Sequence, residues 1–435
     1  MRTILLAASA AAVMTFAGAA HGADIEFWYS NTGPVEVAIL AECDAFNAAQ
    51  ADHKVSCIGQ GSYEVAMQKA IAAYRSGVTP LLIQFVAEGS LDIILSDAVI
   101  PVQDVLPEVD WANYVPATRS YYETSKGEMY AQPWNASTLL FYTNKTQLAE
   151  AGVTETPTTW EELIEAARKL KAAGHACPYV TNAEPWSTFE QFSARHGLPI
   201  ASNHNGYGGL DAEYLFNTTF FAQHLQSLVD WRKEELVKIP ADIQAENYAQ
   251  AFASGECAMM ENSSGAYASA IAGLEGKGEV TLSLAPMYEG YERHNTFVGG
   301  AAIYVMKGHD DAEVEAGKAF LNFLRSPEQQ LNFASATGYV PVTKDALDTV
   351  VDMADGSTKF PTAAIGVESM SAPGTEETRG IRLGFYLQFR QMWIEEVQKA
   401  FAGEKTAQVA LDDAKARGDE LLRRFEQTYQ GVALP

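Results

Sequence analysis

The feature that most constrains the fold is an alternation of strand and helix patterns in the first part of the chain. Short apolar stretches at 24–29, 54–58 and 81–86 predict strands. The segments between them, 35–48 and 63–76, carry apolar residues at helical spacing. The third stretch is a largely apolar run of the kind found in buried parallel strands. This βαβαβ order predicts an α/β lobe.

The remaining pattern predicts a second lobe. Residues 139–144 predict a strand that leaves the first lobe, and 299–306 predict a later strand. Thr159 and Glu162 have capping-box spacing at the start of a helix. Because no flexible linker separates the two parts, we expect a bilobed α/β protein whose lobes are joined by strands around a ligand cleft. The expected boundaries are 24–138 with 303–345 for the N-terminal lobe, and 139–302 with 346–435 for the C-terminal lobe and helices.

The N-terminus has the pattern of a secretory signal peptide. Arg2 precedes an apolar run, 4–20, which ends at small residues suited to cleavage. A retained membrane anchor is the alternative, but the run is short and rich in alanine for a span of ~20 apolar residues. We therefore expect residues 1–23 to be removed and the mature protein to be soluble in an extracytoplasmic compartment.

Four cysteines gain a structural meaning in such a compartment. An even number in an oxidising space allows two disulfides, with three connectivities. A helix at 35–48 that folds back on the following strand would bring Cys43 to Cys57. We favour the pairs Cys43–Cys57 and Cys177–Cys257, and free buried thiols are the alternative.

Charge and motif content argue against several classes of function. The chain has 30 Lys and Arg against 55 Asp and Glu, a net charge of −25, so it would repel nucleic acid and anionic lipid. It lacks the HExxH, GxSxG and Walker patterns, and no GxGxxG follows a strand. We predict no cofactor and no metal. A glycosidase-type pair of carboxylates stays open, but the pattern favours a binding protein over an enzyme.

Candidate ligand groups lie in loops that combine aromatic with small polar residues. Each of these loops lies at a strand or helix end, where α/β clefts collect their ligands. The loops are 28–31, 61–63, 133–138, 185–187, 262–265, 298–300 and 337–339. Residues 262–265 precede a helix and would suit an anion, or simply cap that helix. Arg382 would suit a phosphate through paired hydrogen bonds, or form a surface salt bridge.

Several segments together resemble one known family. They are residues 27–30, 61–64, 72–77, 132–138, 192–199, 255–259, 263–265, 338–344, 380–384 and 417–426. In order and spacing they are similar to the periplasmic glycerol-3-phosphate-binding proteins of Ugp-type ABC importers. The resemblance implies a maltose-binding-protein-like fold whose lobes close on a glycerol-phosphate-type ligand. It also implies a monomeric periplasmic protein whose partners are an inner-membrane permease and its ATPase subunits.

The resemblance implies roles for individual residues as well. Tyr63 and Trp186 match residues that lie against the glycerol, and Ser137 matches a ligand-bonding serine. Ser264, or its neighbour Ser263, matches a phosphate-bonding serine. The remaining matches are Gly300, through its backbone N–H, and Tyr339 and Arg382 on the phosphate side. Further candidates for the lining are Trp134, Tyr29 and Tyr386.

One position departs from the family pattern. The family places a glutamate three residues after the position of Gln84, where this chain has Ala87, and Glu88 follows one residue later. A one-residue shift along a strand end would turn the carboxylate away, whereas a local bulge would restore it. A site that lacks this carboxylate would discriminate less between ligands. We therefore expect the pocket to tolerate a substituent on the phosphate, with glycerophosphocholine binding at least as well as glycerol 3-phosphate. The alternatives are a sugar-binding protein of the same fold and a secreted hydrolase.

Overall fold

The structure is a computed structural model that describes residues 22–353, 359–432 and 434. The expected signal peptide, apart from its last two residues, lies outside these ranges. Within the described part of the chain, no helix combines the length and the apolar content needed to cross a membrane.

The strands form two sheets. They are β1 (Asp24–Tyr29), β2 (Lys54–Gly59), β3 (Leu82–Val86), β4 (Val99–Ile100), β5 (Gln132–Ser137), β6 (Leu139–Asn144), β7 (Cys177–Val180), β8 (Val237–Lys238), β9 (Cys257–Ser263), β10 (Val280–Leu284) and β11 (Gly299–Met306). The first sheet has the order β2-β1-β3-β11-β4, with β5 also paired to β11, and the second has the order β10-β6-β9-β7-β8. As the βαβαβ pattern predicts, β2, β1 and β3 run parallel. Because β11 begins at Gly299, pairing with the first sheet starts before the boundary expected at 303.

Helices cover both sheets. They are α1 (Pro34–Ala49), α2 (Tyr63–Ser76), α3 (Ser90–Leu95), α4 (Val102–Val105), α5 (Pro116–Arg119), α6 (Lys145–Glu150), α7 (Trp160–Ala172), α8 (Gln191–Arg195), α9 (Ser202–Asn205), α10 (Phe221–Lys233), α11 (Tyr248–Ala253), α12 (Tyr267–Leu274), α13 (Asp311–Leu324), α14 (Pro327–Thr337), α15 (Lys344–Asp352), α16 (Pro361–Ser371), α17 (Tyr386–Phe401) and α18 (Ala407–Thr428). Short 3-10 turns include Ala87–Gly89 and Ser264–Ala266, and Trp186–Glu190 forms a π-helical turn. The capping box predicted for α7 is present, since the Glu162 N–H donates to Thr159 Oγ1 (3.1 Å) and the Thr159 N–H donates to Glu162 Oε2 (3.3 Å).

Aromatic side chains fill the core of each half. Around the first sheet, the Phe320 ring lies 5.8 Å from Phe27 and 5.1 Å from Phe46. Beside the second sheet, the Trp160 and Tyr179 rings lie 5.8 Å apart. Helix α17 packs against α18 and α10, and it also contacts the 87–89 turn after β3. It can therefore carry a side chain into the space between the halves.

The chain passes from the first sheet to the second through a single residue and returns through the segment between β10 and β11. Ser137 ends β5 in the first sheet and Leu139 begins β6 in the second, so Thr138 alone forms this crossing. The chain returns through Thr296, shortly before β11. Thr296 Oγ1 lies 2.7 Å from Thr138 Oγ1 and 2.8 Å from the hydroxyl of Ser369 on α16. These buried hydroxyls join the two crossings, where a hinge between the halves would lie.

One disulfide lies in each half. Cys43 on α1 is bonded to Cys57 on β2, and Cys177 on β7 is bonded to Cys257 on β9. These are the two pairs that the sequence favours. The second pair joins neighbouring parallel strands at matching register positions.

Candidate functional site

A cavity of about 200 Å³ lies between the two halves, beside the chain crossings. Strand ends and helix starts from distant parts of the sequence form its walls. Its lining residues are Tyr63, Glu64, Val86, Glu88, Ser137, Glu184, Trp186, Ser263, Gly300, Tyr339 and Arg390.

Most of the residues expected to bind ligand meet in this cavity. They are Tyr63, Glu88, Ser137, Trp186, Ser263, Gly300 and Tyr339. Five other candidates do not line it, namely Ser264, Arg382, Trp134, Tyr29 and Tyr386. The difference between the two groups follows from local geometry at each position.

Buried amide side chains position the two tyrosines. Gln84, in β3, donates from Nε2 to Asn31 Oδ1 (2.8 Å) and to Asn135 Oδ1 (3.0 Å). With both amides fixed, Asn135 Nδ2 donates to the Tyr63 hydroxyl at 3.1 Å, and Asn31 Nδ2 donates to the Tyr339 hydroxyl at 3.4 Å. The hydroxyls are thus held in place before a ligand arrives, which lowers the entropic cost of binding.

A β-bulge at the start of β11 brings backbone into the cavity wall. The register between β11 and β5 shifts between Ala301 and Ala302. Gly300 has a φ of 94°, and a Cβ there would lie 1.8 Å from the Asn135 carbonyl oxygen, so only glycine fits. The adjacent Gly299 packs against the Trp186 indole. The start of β11 therefore brings the backbone of Gly300 and the indole to the same cavity.

The two serines at 263 and 264 have different surroundings. Ser263 ends β9, and its Oγ accepts the Gly265 N–H at 3.1 Å as the cap of the following 3-10 turn. Ser264 is wholly buried, and its N–H donates to the Thr138 carbonyl at the crossing (2.9 Å). The sequence leaves the choice between them open, and the structure places Ser263 at the cavity.

A single helical turn after β3 carries the Glu88 carboxylate into the cavity. β3 ends at Val86, and Ala87–Gly89 form a 3-10 turn instead of continuing the strand. If the strand continued through residue 88, the Glu88 side chain would point to the face of the sheet opposite to that of Ala87. In this turn Glu88 Oε1 lies 2.8 Å from Arg390 Nη2. A local departure from the strand, one of the two alternatives at this position, therefore restores a carboxylate here.

Arg390 is the cation among the described residues that line the cavity. It lies on the first turns of α17 and is only 5% exposed. Its Nε donates to Glu190 Oε1 (2.9 Å) and its Nη2 to Glu190 Oε2 (2.6 Å). The Tyr386 hydroxyl donates to the same carboxylate at 2.9 Å. A bidentate carboxylate thus fixes the guanidinium plane.

Several carboxylates surround the single guanidinium of Arg390. Glu64, Glu88 and Glu184 line the cavity, and Glu190 is paired with Arg390. Burial raises the pKa of Glu88 and that of Glu184, although Arg390 opposes both rises. Burial raises the pKa of Glu190 to about 7, with Arg390 opposing the rise and Glu88 adding to it. Burial thus raises the pKa of all three carboxylates beside the Arg390 guanidinium.

Arg382 does not occupy the position expected of a phosphate anchor. Its Nη2 donates to the backbone carbonyls of Glu123 (2.7 Å), Ser120 (3.3 Å) and Tyr121 (3.4 Å). Its guanidinium also lies 4.7 Å from the centre of the Tyr207 ring. These contacts tie the 380–384 loop to the 120–123 segment, away from the cavity lining.

The three further lining candidates are buried in the interior and do not line the cavity. The Trp134 ring packs between Phe27 (5.4 Å) and Phe333 (5.3 Å) in the core. Tyr29 is buried and its hydroxyl donates to Glu36 Oε1 at 2.9 Å. Tyr386 is wholly buried behind Arg390. These three aromatic side chains therefore pack into the interior from strands β1 and β5 and helix α17.

The sequence interpretation missed Arg390, Glu184 and Glu190. A signal for Arg390 exists, because it falls on the buried face of α17 with Phe389, Trp393 and Val397. An arginine within an apolar helical stripe must find partners inside the protein. Glu184 gives a weaker signal, since its oxygens accept the N–H groups of Trp186 (3.1 Å) and Ser187 (3.0 Å) like an ordinary cap.

Comparisons with known proteins place the chain in a family. The model described as "Bacterial extracellular solute-binding protein" matches residues 41–361. The sn-glycerol-3-phosphate-binding periplasmic protein UgpB of Yersinia enterocolitica is 34% identical over 417 residues, which cover 93% of this chain and 93% of that relative.

Solved structures share the fold. Maltose-bound MalE3 of T. maritima has a TM-score of 0.77 and 18% identity, over 93% of this chain and 100% of that chain. UgpB from Mycobacterium tuberculosis in complex with glycerophosphocholine has a TM-score of 0.75 and 19% identity, over 92% and 99%. The expected maltose-binding-protein-like fold is therefore confirmed. The chain belongs to the bacterial extracellular solute-binding protein family and is similar along nearly its whole length to the UgpB proteins.

Proposed function

We propose that the protein is the solute-binding component of an ABC importer and captures a glycerol-phosphate-type ligand in the cavity at Arg390. The Yersinia relative is named for sn-glycerol 3-phosphate, and the solved M. tuberculosis UgpB holds glycerophosphocholine. In this proposal the mature chain is a periplasmic monomer that catalyses no reaction. It delivers its ligand to an inner-membrane permease with ATPase subunits.

The observation that carries the proposal is the position of Arg390. Glu190 binds one edge of the buried guanidinium and Glu88 contacts its Nη2, while the donors on Nη1 suit an anion in the cavity. The hydroxyls of Ser137, Ser263 and Tyr339 line the same cavity and would complete the shell around a phosphate group. A neutral sugar has no need of this cation, so sugar binding is the second choice.

The other lining groups suit the glycerol end of such a ligand. The Glu88 carboxylate would accept hydrogen bonds from glycerol hydroxyls, because an ionised carboxylate is an acceptor only. The Trp186 indole and the Tyr63 ring would pack against the carbon chain. A ligand with hydroxyls at one end and a phosphate at the other thus meets complementary groups at both ends.

Charge in the cavity favours a phosphodiester over a phosphomonoester. The Ala87 argument for a diester loses its basis, because Glu88 reaches the cavity through the 3-10 turn. The excess of carboxylates over Arg390 gives a different reason. A monoester carries about −1.5 to −2 at pH 7, whereas a diester carries a single negative charge. The diester therefore meets less repulsion from Glu64, Glu88 and Glu184.

We predict that glycerophosphocholine binds at least as tightly as glycerol 3-phosphate. The measurement is a competitive titration of the two ligands at pH 7, with glycerol 3-phosphate added to the glycerophosphocholine complex. If glycerol 3-phosphate binds tenfold tighter, about 1.4 kcal/mol, then the carboxylates do not set the preference and the charge argument is wrong.

We also predict that binding takes up a proton. An anion at Arg390 adds negative charge beside Glu190, whose pKa is about 7, and beside Glu88 and Glu184. The added charge raises these pKa values further, so the complex holds more protons than the free protein, and affinity falls as pH rises above about 7. Titration calorimetry with glycerophosphocholine in buffers of different ionisation enthalpy measures the uptake, since a diester does not itself titrate there. Identical heats in all buffers at pH 7.5 would contradict the prediction.

A panel of ligands tests the proposed function as a whole. The melting temperature of the mature protein should rise with glycerol 3-phosphate and glycerophosphocholine, and stay unchanged with maltose or glucose, because a bound ligand stabilises the folded state in proportion to RT ln(1 + [L]/Kd). Incubation with glycerophosphocholine should release no choline. A rise with sugars alone would support the sugar-binding alternative, and released choline would support the hydrolase.

A further inference from the structure

A second cavity, about 290 Å³, adjoins the ligand cavity, and Glu64 lines both. It lies between helix α2 and the first turns of helix α17. On α2, Glu64, Met67 and Ile71 line it at the spacing of one helical face. From Glu64 to Ile71 this face extends about 10 Å. The two cavities, which share Glu64 on α2, are together called the groove.

Helix α17 lines both parts of the groove as well. Arg390 lies in the ligand cavity, and Leu387, one turn earlier, lies in the second cavity with Gln388. The floor between them is the 3-10 turn after β3. A Cβ at Gly89 would lie 2.9 Å from Met67 Cε and 3.3 Å from Leu387 Cδ1, so these side chains pack directly over the glycine. A group attached to a phosphate at Arg390 thus has an apolar floor to follow.

The chemistry of the second cavity selects one kind of group. Its apolar surface comes from side chains such as Met67, Ile71 and Leu387, and its acidic residues are Glu64 and Asp92. Burial raises the pKa of Asp92 to about 7, so Glu64 is the main source of negative charge. No lysine or arginine occurs among the described residues that line it. Carboxylates beside apolar surface favour a cation with an apolar body, and they repel a second anion.

We propose that the groove between α2 and α17 receives a cationic substituent carried on the phosphate of the ligand. The inference rests on the proposed function and adds to it the path of the substituent and its charge. Binding energy for the substituent then comes from Met67, Ile71 and Leu387 and from the carboxylate of Glu64. An anionic substituent of the same length is rejected by the same carboxylates.

A matched pair of variants at Gln388 tests the groove. Gln388 is exposed, so Gln388→Lys and Gln388→Glu change the charge of the groove with little effect on folding. The readout is the ratio of the Kd for glycerophosphocholine to the Kd for glycerophosphoglycerol, a diester whose substituent is neutral, measured by calorimetry. Both ligands carry the same single charge on the phosphate group, so any effect of the new charge on that group largely cancels in the ratio.

The ratio should rise about three- to tenfold in Gln388→Lys and fall in Gln388→Glu. The control is Gln398→Lys, at an exposed position of α17 outside both cavities, which should keep the wild-type ratio. Equal ratios in all three variants overturn the groove while leaving the proposed function intact, and so does a wild-type protein that binds glycerol 3-phosphate but rejects glycerophosphocholine. A wild-type protein that binds neither ligand overturns the proposed function itself.

Discussion

Arg390→Ala is expected to weaken the binding of glycerol 3-phosphate by about 3 kcal/mol or more, which is over a hundredfold in Kd. The substitution removes the cation from a cavity whose other charged lining residues are carboxylates. An anionic ligand would then meet repulsion from Glu88 and Glu184 with nothing to offset it. Arg390→Lys should be intermediate, because an ammonium keeps the charge but cannot hold a carboxylate and a phosphate in one plane. Titration calorimetry on the purified variants measures both effects.

Loss of Arg390 also leaves Glu190 without its bidentate partner, so folding must be checked alongside binding. Arg382→Lys is the matched control, because Arg382 is the arginine that the loop pattern singles out and it contacts carbonyls of residues 120–123. It should lower the melting temperature while the folded protein keeps its affinity. The opposite result, in which Arg382→Lys loses the ligand and Arg390→Ala retains it, would show that the phosphate binds at the 380–384 loop.

Removing the Cys177–Cys257 disulfide should cost more stability than removing Cys43–Cys57. The bonded residues are 80 positions apart in the first pair and 14 in the second. On the chain-entropy model this corresponds to about 4.5 kcal/mol and about 3 kcal/mol of unfolding free energy. Urea unfolding of the Cys177→Ala/Cys257→Ala and Cys43→Ala/Cys57→Ala double variants measures the two losses.

Each double variant also serves as the control for the other, because the two disulfides lie in different halves. The wild-type protein should show no free thiols when titrated under denaturing, non-reducing conditions. Two or more thiols per chain would show that the pairs do not form. Unchanged unfolding of the Cys177→Ala/Cys257→Ala variant would show that this bond does not restrain the unfolded chain.

Much of the fold could be predicted from local patterns. Apolar runs and a helix-capping pattern in the sequence predict β1, β2, β3 and α7, because burial and capping depend on residues that are close together in the chain. The pattern of residues 215–233 predicts one helix over the whole segment. The helix begins only at Phe221, since Thr219 is extended (φ −88°, ψ 173°) after a 3-10 turn. Local hydrogen bonding by threonine, here from Thr218 Oγ1 to the Leu215 carbonyl, competes with the helix and is hard to see in an apolar pattern.

The candidate site was harder to predict wherever a side chain reaches it from a distant element. Loop positions such as Tyr63 and Tyr339 carry a local signature of aromatic and small polar residues. Arg390 carries none of that signature, because it lies within a helix and its partner Glu190 is 200 positions away. The direction of the Glu88 side chain depends on whether the residues after β3 are extended or helical. The close packing of Met67 and Leu387 against Gly89 is a tertiary contact that local sequence does not show.

The most direct test of the account is a crystal structure of the mature protein grown with glycerol 3-phosphate. We expect the phosphate to lie within hydrogen-bond distance of the Arg390 guanidinium and the Ser263 hydroxyl, with the glycerol hydroxyls toward Glu88 and the carbon chain against Trp186. A phosphate bound at Arg382, or a cavity at Arg390 that stays without the ligand at saturating concentration, would contradict the account.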